Sequence, residues 1–380
     1  MGGGWGHLLP LRAIAREFIR RGVEVVVLAR EEEKARSIFF PLGVEVAASP
    51  EWTIKKTGFS LNYAQCVWGN GYCDRKRFLA HFSWWRERLS ELRPSFLLTD
   101  FAPTALLAAV AEQLPRGAIG TGFTLPPLVT PTPSLHPWLK LDGEALAAAE
   151  ELLAATVREA VPRVRSVADL FAGTVRFLAV LPEFDHFPER PPETYRGPLL
   201  QGVAGGAFEW PDGEGPKVFL YLGAGNRCLG GLLDHLRRLG LPAIGHIHGL
   251  SEADRPALES STLKLSTSLF ELDRAASQAD VAVTSGGMHT ASRMLLAGVR
   301  LLLCPEQLEQ TLLSYRLSRQ GLCEWVPFWS DPGLVRERFD AVVSSEALGI
   351  EVHAFAATHA GYDSSGTVEA VVRECLEAAG

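Results

Sequence analysis

Residues 279–310 have the sequence ADVAVTSGGMHTASRMLLAGVRLLLCPEQLEQ, and this stretch decides the fold class. An apolar run at 281–284 is followed by Gly286 and Gly287, then by a helical pattern, and then by a second apolar run at 300–304. This order of strand, glycine turn, helix and strand predicts a βαβ unit with parallel strands. Glycines before a helix N-terminus let the backbone approach a ligand, and the N–H groups of the first turn favour an anion.

The same alternation of short apolar runs and helical patterns extends along the chain in both directions. Further strands are predicted at 218–222, 243–247 and 263–266, and, nearer the start, at 23–29, 44–47, 95–99 and 117–120. A stretch rich in proline and glycine separates the two series. The prediction is an α/β protein of two Rossmann-like parallel-sheet domains that face a cleft. Their bounds are 1–190 and 217–380, with a linker at 191–216, and the last helix is a candidate to pack back on the first domain.

Composition narrows the class of protein. The chain has 380 residues, 47% hydrophobic residues and a net charge of −7, which is typical of a globular protein and argues against binding nucleic acid by bulk electrostatics. The first 100 residues hold 15 Lys and Arg against 11 Asp and Glu. That mild excess of positive charge fits a solvated face, an anionic ligand or peripheral contact with a membrane. The six cysteines form no CxxC pair, and we find neither a secretory signal nor an apolar run of about 20 residues, so we expect a cytoplasmic protein without a transmembrane segment.

The start of the chain contains a titratable residue in a glycine-rich setting. Gly2, Gly3, Gly4 and Gly6 surround Trp5 and lead into His7, which opens an amphipathic helix. A histidine at such a turn suits a general base, because its ordinary pKa lies near neutral pH. The alternative is a capping or exposed histidine without a catalytic role.

A general base needs an orienting partner, and Asp100 follows the predicted strand at 95–99. Carboxylates at the carboxyl ends of parallel strands face the same crevice, so Asp100 is predicted to accept a hydrogen bond from His7. The alternative role of Asp100 is to cap the helix that begins near Pro103.

These motifs together resemble the GT-B nucleotide-sugar glycosyltransferases of family 1, the UDP-glycosyltransferase-like and macrolide-glycosyltransferase-like group. The resemblance rests on residues 2–30 and 279–322 and extends over most of the chain. It implies that His7 is the catalytic base, with Asp100 as its partner and with Gly4 and Gly6 in the acceptor loop. The donor-binding residues that it implies are Gly223, Gly225, Asn226, Ser285, Gly286, Gly287, Thr290, Arg293, Glu309 and Gln310. Glu309 and Gln310 match the acidic-amide pair that binds the donor sugar.

Two positions depart from the family pattern. Ser285 stands where the family usually has a histidine that contacts the diphosphate, and Arg293 stands where it often has a glutamate that binds ribose. Either Arg293 supplies the missing positive charge, with His289 and Arg227 as further candidates, or the site no longer binds a nucleotide.

The resemblance implies an inverting, metal-independent glycosyltransferase of the hexosyltransferase type. It would transfer a sugar from a nucleotide-diphosphate donor, UDP-type by analogy, to a small-molecule or lipid hydroxyl acceptor, without a further cofactor. Two alternatives stay open: a nucleotide-sugar epimerase or hydrolase, which would need additional carboxylates near the donor, and a non-catalytic binding protein. His246 and His248 share one face of a predicted strand, but we interpret them as structural because no third metal ligand is near.

Two further expectations concern the first domain. Its aromatic residues are candidates for core packing or for an acceptor pocket, and they are Trp52, Phe59, Tyr63, Trp68, Tyr72, Trp84 and Trp85. In addition, the glycine loop starts at Gly2, which leaves no residues for the first, central strand of the sheet. We therefore expect the natural chain to begin upstream, and we expect a break between the strands near 23–29 and 95–99.

Overall fold

The computed structural model describes residues 5–51, 59–200 and 205–380. The chain divides into two compact units. The first comprises Met1–Leu199 with Asp363–Gly380, and the second comprises Leu200–Tyr362. Both units are α/β structures with parallel strands, as the alternation of patterns predicts.

The first unit contains five short strands and eight helices among its described residues. The strands are β1 (Val26–Ala29), β2 (Glu45–Ala48), β3 (Leu97–Asp100), β4 (Arg116–Gly120) and β5 (Val175–Leu178). The helices are α1 (Trp5–Arg20), α2 (Glu32–Phe39), α3 (Tyr63–Val67), α4 (Arg75–Leu92), α5 (Pro103–Ala111), α6 (Gly143–Ala160), α7 (Val167–Phe171) and, from the end of the chain, α15 (Ser364–Ala379).

These five strands form two separate sheets. β1 pairs with β2, with Val27 opposite Val46, and the second sheet has the order β3-β4-β5. In the described part of the chain no strand joins β1 to β3, so the predicted break is present. The expected residues upstream of Met1 stay a prediction.

Helix α1 connects the two sheets through its side chains. Leu8 and Ala15 belong to a core cluster with residues of β1, β2 and α2. Ala13 and Ile14 belong to another cluster, with residues of β4, β5 and α15. The apolar residues of α1 are therefore buried in two different cores, and this burial stabilises the packing of α1 against both sheets.

The division between the units follows Leu199, inside the linker expected at 191–216. Side-chain contacts explain why the first part of that linker belongs to the first unit. Glu193 accepts from Arg176 of β5 at 2.7 Å, Tyr195 donates to Asp185 at 2.8 Å, and Leu199 is buried in the core. Burial acts to raise the pKa of Glu193, but its hydrogen bonds and ion pairs with arginines outweigh this effect and lower it. The first part of the expected linker is thus fixed to the first unit, as is α15.

The second unit contains one continuous sheet. Its strands are β6 (Val218–Gly223), β7 (Ala243–His248), β8 (Leu263–Ser266), β9 (Val281–Thr284), β10 (Arg300–Leu303) and β11 (Glu324–Trp325). Its helices are α8 (Leu229–Leu239), α9 (Arg255–Leu258), α10 (Leu272–Gln278), α11 (Met288–Leu296), α12 (Leu308–Arg319), α13 (Val335–Ser344) and α14 (Glu346–Thr358). All neighbouring strands are parallel, in the order β11-β10-β9-β6-β7-β8.

The strand order reverses between β6 and β9. From β6 the chain proceeds to β7 and β8 on one side, and then crosses to β9, β10 and β11 on the other side. Loops that leave two such strands diverge, and the crevice at their carboxyl ends is the usual ligand site of an open parallel sheet. Among the residues that the structure describes, no helix is long and apolar enough to cross a membrane.

Candidate functional site

The first candidate region is the contact between His7 and Asp100 in the first unit. Asp100 is the last residue of β3, and His7 lies in the first turn of α1. The Nδ1 atom of His7 lies 3.1 Å from Oδ1 and 3.0 Å from Oδ2 of Asp100, so the predicted dyad geometry is present. The Asp100 side chain is 11% exposed and the His7 side chain 32% exposed. A neutral imidazole that donates from Nδ1 has its basic lone pair on Nε2, which is the arrangement that a general base requires.

The backbone directly after Asp100 adopts an unusual conformation. Phe101 has φ of +44°, in the left-handed region that non-glycine residues rarely adopt. Its ring lies 6.2 Å from that of Tyr63 and 6.4 Å from that of Phe123, so aromatic packing holds the strained turn. Such strain clusters at functional sites because the surrounding structure can hold a side chain in a chosen direction. Here it fixes the point at which the Asp100 carboxylate leaves the sheet.

The candidate acceptor-pocket aromatics divide into two groups. Tyr63, Tyr72 and Trp85 are buried core residues, so the structure supports the packing alternative for them. Burial raises the pKa of Tyr63 and Tyr72 above the ordinary phenol range. Phe59 differs, because it is 56% exposed and its ring stacks on His136 at 3.8 Å.

Among the other candidate residues of this unit, Trp68 and Trp84 are half-buried. Gly6 is exposed with open space where a Cβ would stand. Gly4 and Trp52 lie outside the described residues.

The second candidate region is formed by the loops after β6 and β9 at the reversal of strand order. Ser285 continues β9, and its N–H donates to the Tyr221 carbonyl of β6 at 3.3 Å. Gly286 has φ of +81°, a conformation that favours glycine, and a Cβ there would lie in tight contact with the Ser314 hydroxyl, at 3.0 Å. Gly287 is the N-cap residue of α11 and has an extended backbone. Among the described residues, no side chain caps the first turn of this helix. These features suit the approach of a ligand to the backbone.

A carboxylate that the sequence patterns did not single out stands between these loops. Glu306 follows Pro305 after β10, and its Oε2 accepts a hydrogen bond from the Ser285 hydroxyl at 2.9 Å. A Cβ at Gly223 would lie 3.2 Å from Oε1 and 3.3 Å from Oε2 of Glu306. The signal that could have found it is its place directly after a buried strand that neighbours β9, because carboxyl ends of parallel strands share one edge.

The predicted sugar-binding pair lies at the start of α12. Glu309 is half-buried in the first turn of this helix. Gln310 accepts a hydrogen bond through Oε1 from the Glu306 N–H at 2.9 Å. Gln310 therefore fixes the backbone of Glu306 in this structure, and sugar binding by the pair stays a prediction.

Arg293, the candidate for the missing positive charge, is engaged by partners within the second unit. It is 6% exposed, its Nε donates to Asp273 of α10 at 2.5 Å, and its Nη2 donates to the Leu200 carbonyl at 3.0 Å. Through these two contacts the Arg293 guanidinium links α11 to α10 and to the backbone at Leu200. Thr290 is likewise buried in α11. Compensation by Arg293 for the missing histidine would require its guanidinium to leave Asp273 and Leu200, and it stays a prediction.

Asn226, predicted as a donor ligand, makes hydrogen bonds within the second unit, and donor binding by it stays a prediction. It is buried, its Oδ1 accepts from the Cys228 N–H at 2.9 Å, and its Nδ2 donates to the Cys304 carbonyl at 2.9 Å. Its amide thus shapes the loop after β6, while Gly225 in that loop is exposed. A hydrogen bond with the Cys304 thiol lowers the pKa of the Cys228 thiol, and this effect outweighs burial.

The remaining charged candidates have local partners. Arg227 donates to the carbonyls of Phe328 and Ser330, and its guanidinium lies 5.6 Å from the centre of the Phe328 ring. His246 is buried, pairs through Nδ1 with the Ser266 carbonyl at 3.2 Å, and has a pKa that burial lowers. These contacts support the structural interpretation of His246. His289 is half-buried in the first turn of α11. In the described ranges, no group of three or more His, Cys, Asp or Glu side chains could hold a metal ion.

Comparison with solved structures places this arrangement among known folds. The glycosyltransferase of kitacinnamycin is 17% identical with a TM-score of 0.71, and the alignment covers 99% of this chain and 96% of that one. The calicheamicin glycosyltransferase CalG4 is 15% identical with a TM-score of 0.70, over 99% and 96% of the two chains. The glycosyltransferase VinC, solved with dTDP, is 14% identical with a TM-score of 0.69, over 99% and 97%.

No protein-family model matches the chain. No curated protein matches it either. At these identities the solved structures establish the fold alone, and they do so over the whole length. The chain therefore has the GT-B fold, with the α/β architecture of the antibiotic glycosyltransferases to which it is similar.

Proposed function

We propose that this protein is a glycosyltransferase that moves a sugar from a nucleoside diphosphate to a hydroxyl acceptor. The observation that carries the proposal is the contact of His7 Nδ1 with both oxygens of Asp100 at 3.0–3.1 Å, at the carboxyl end of a parallel strand. An imidazole oriented by a carboxylate can act as a general base, and the fold is shared with glycosyltransferases.

The proposed reaction is a single displacement. His7 Nε2 takes the proton of the acceptor hydroxyl while the acceptor oxygen attacks the anomeric carbon of the donor. The bond from that carbon to the diphosphate oxygen breaks, and the nucleoside diphosphate leaves with the electron pair. Attack opposite the leaving group inverts the anomeric configuration. Asp100 stabilises the imidazolium that forms, and the backbone around Gly286 and Gly287 receives the diphosphate without a metal ion.

Two donor nucleotides are proposed for testing. UDP follows from the resemblance of the sequence motifs, and thymidine diphosphate is present in solved structures of VinC and of the spinosyn rhamnosyltransferase SpnG. SpnG has also been solved with spinosyn aglycone, which makes a hydroxylated aglycone a reasonable acceptor class to test here.

A second candidate function is a non-catalytic nucleotide-sugar-binding protein. The specific observation that favours it is the Ser285–Glu306 contact, because it brings a carboxylate to the loops that would receive the diphosphate. The same carboxylate is the feature that a nucleotide-sugar hydrolase would need. Release of free sugar without an acceptor would identify the hydrolase, and donor binding without sugar release or transfer would identify the binding protein.

The experiment incubates UDP- and dTDP-sugars with a panel of hydroxylated aglycones and follows product by mass spectrometry. His7→Ala is expected to lower the transfer rate by about 10²–10⁴ while donor binding is retained, because the base acts only when the acceptor reacts. Asp100→Asn should lower the rate less, since the imidazole keeps a hydrogen-bond acceptor but loses the charge beside the imidazolium. His81→Ala in α4 is the matched control and should leave the rate unchanged. Full transfer by His7→Ala would exclude His7 as the base.

A further inference from the structure

The Ser285–Glu306 contact has a consequence for how the donor site is filled. Ser285 immediately precedes the Gly286–Gly287 turn, and Gly223 ends β6 on the other side of the same crevice. The Glu306 carboxylate contacts the Ser285 hydroxyl at 2.9 Å and lies against the Cα of Gly223, at the position where a Cβ would meet it at 3.2 Å. One negative group therefore already stands between the two loops proposed to bind the diphosphate.

The position of this carboxylate is fixed from its own backbone. Gln310 Oε1 accepts from the Glu306 N–H at 2.9 Å, one turn into the adjoining helix α12. Pro305 precedes Glu306 and restricts the backbone on the other side. The absence of a side chain at Gly223 leaves room for the Glu306 carboxylate, because a Cβ at this position would be in tight contact with its oxygens. Residues of α12, of the loop after β10 and of β6 thus together set the position of the Glu306 carboxylate.

A carboxylate and a diphosphate cannot share this place without cost. Both are acceptors only, and both would compete for the single proton of the Ser285 hydroxyl. Two negative charges a few ångströms apart repel, and the repulsion grows when a bound ligand covers the site and excludes water. The two arginines considered as compensating cations are engaged elsewhere, Arg293 by Asp273 and Leu200, and Arg227 by the carbonyls of Phe328 and Ser330.

We propose that Glu306 occupies the phosphate position of the donor site and acts as an internal competitor that an incoming diphosphate must displace. This inference rests on the proposed function for the identity of the donor, and it assigns Glu306 as the residue that sets donor affinity. Binding would require the carboxylate to leave Ser285 and turn toward solvent, which its exposed position permits. The native chain should consequently bind diphosphates weakly, and loss of the charge should strengthen binding.

The test measures binding by calorimetry with three probes, inorganic pyrophosphate, UDP and dTDP, in EDTA. Glu306→Gln keeps a similar shape and an acceptor for Ser285 but removes the charge, and it is expected to lower the Kd for pyrophosphate at least tenfold. Glu306→Ala also removes the acceptor and should lower it further. Glu337→Gln, an exposed carboxylate of α13 in the same unit, removes one charge elsewhere and should leave the Kd unchanged.

The outcomes separate this inference from the proposed function. Pyrophosphate binding that is equal or weaker in Glu306→Gln, including no binding by any variant, overturns the role of Glu306. Tighter pyrophosphate binding without any binding of UDP or dTDP supports that role and overturns the nucleotide donor. A repeat in Mg²⁺ in which the native chain binds more tightly than Glu306→Gln would also overturn the inference, because Glu306 would then be a cation ligand.

Discussion

The strands of the two units differ in whether one or both of their edges pair with a neighbouring strand. In the second unit β6 and β9 are each flanked on both sides, and Val218, Phe219 and Leu220 of β6 are completely buried. In the first unit β1 and β3 are each paired on one side within the described residues, and Leu28 and Leu98 are only half-buried. Strands of similar length and apolar character thus differ in how deeply their side chains are buried. A strand acquires its stability from the neighbours that cover its edges and faces, more than from its own sequence.

Hydrogen exchange should show the largest difference between the two sheets. Alternate amides of β1 and β3 point to edges that have no strand partner in the described structure, whereas amides of β6 and β9 lie inside a continuous ladder. We expect exchange from the edge-facing amides of β1 and β3 to be faster by about three orders of magnitude, since local opening costs far less than global unfolding. Native-state exchange with mass spectrometry on peptides of 24–31 and 216–224 makes the measurement. Equal protection would mean that the edges of β1 and β3 are covered.

A matched pair of leucine truncations sharpens the comparison. Leu220→Ala in β6 removes a completely buried side chain and should destabilise the second unit by about 2–5 kcal/mol. Leu28→Ala in β1 removes a half-buried one and should cost about 1–2 kcal/mol, because less surface returns to water and water fills the space. Urea unfolding followed by tryptophan fluorescence gives both values. A cost for Leu28→Ala as large as that for Leu220→Ala would contradict the difference in burial.

Adding a strand should reduce the difference between the units. An extension of five to seven β-branched residues before Gly2 could pair with β1 and β3, and we expect it to raise the stability of the first unit by about 1–3 kcal/mol, from hydrogen bonds of roughly 1 kcal/mol each less the cost of ordering. The matched control carries two prolines in the same extension, which cannot donate to the ladder. Thermal unfolding that is identical for the two extensions would show that the break between the sheets does not accept a strand.

Much of the second unit was predictable because its strands are continuous apolar runs between turns. The strand predicted at 218–222 is observed as Val218–Gly223, and the strand predicted at 281–284 is observed as Val281–Thr284. The two-residue strand Glu324–Trp325 was not predicted, because it has no periodicity of its own and pairs only through β10. The division after Leu199 falls inside the linker expected at 191–216, but proline content does not reveal that Glu193 and Leu199 are fixed to the first unit.

The sequence by itself determined the fold class and the glycine turn at Gly286 and Gly287, because hydrophobic period and glycine position are local properties. It also predicted the contact of His7 with Asp100, 93 positions away, because strand ends of parallel sheets face a common crevice. Tertiary structure alone decided which polar side chains are available for chemistry. Glu306 turned out to contact Ser285, while Arg293 and Asn226 turned out to be used within the core. Their long-range partners, Ser285, Asp273, Leu200 and Cys304, lie 20 to 93 positions away along the chain, so the free energy of each of these contacts depends on which loops the sheet brings together.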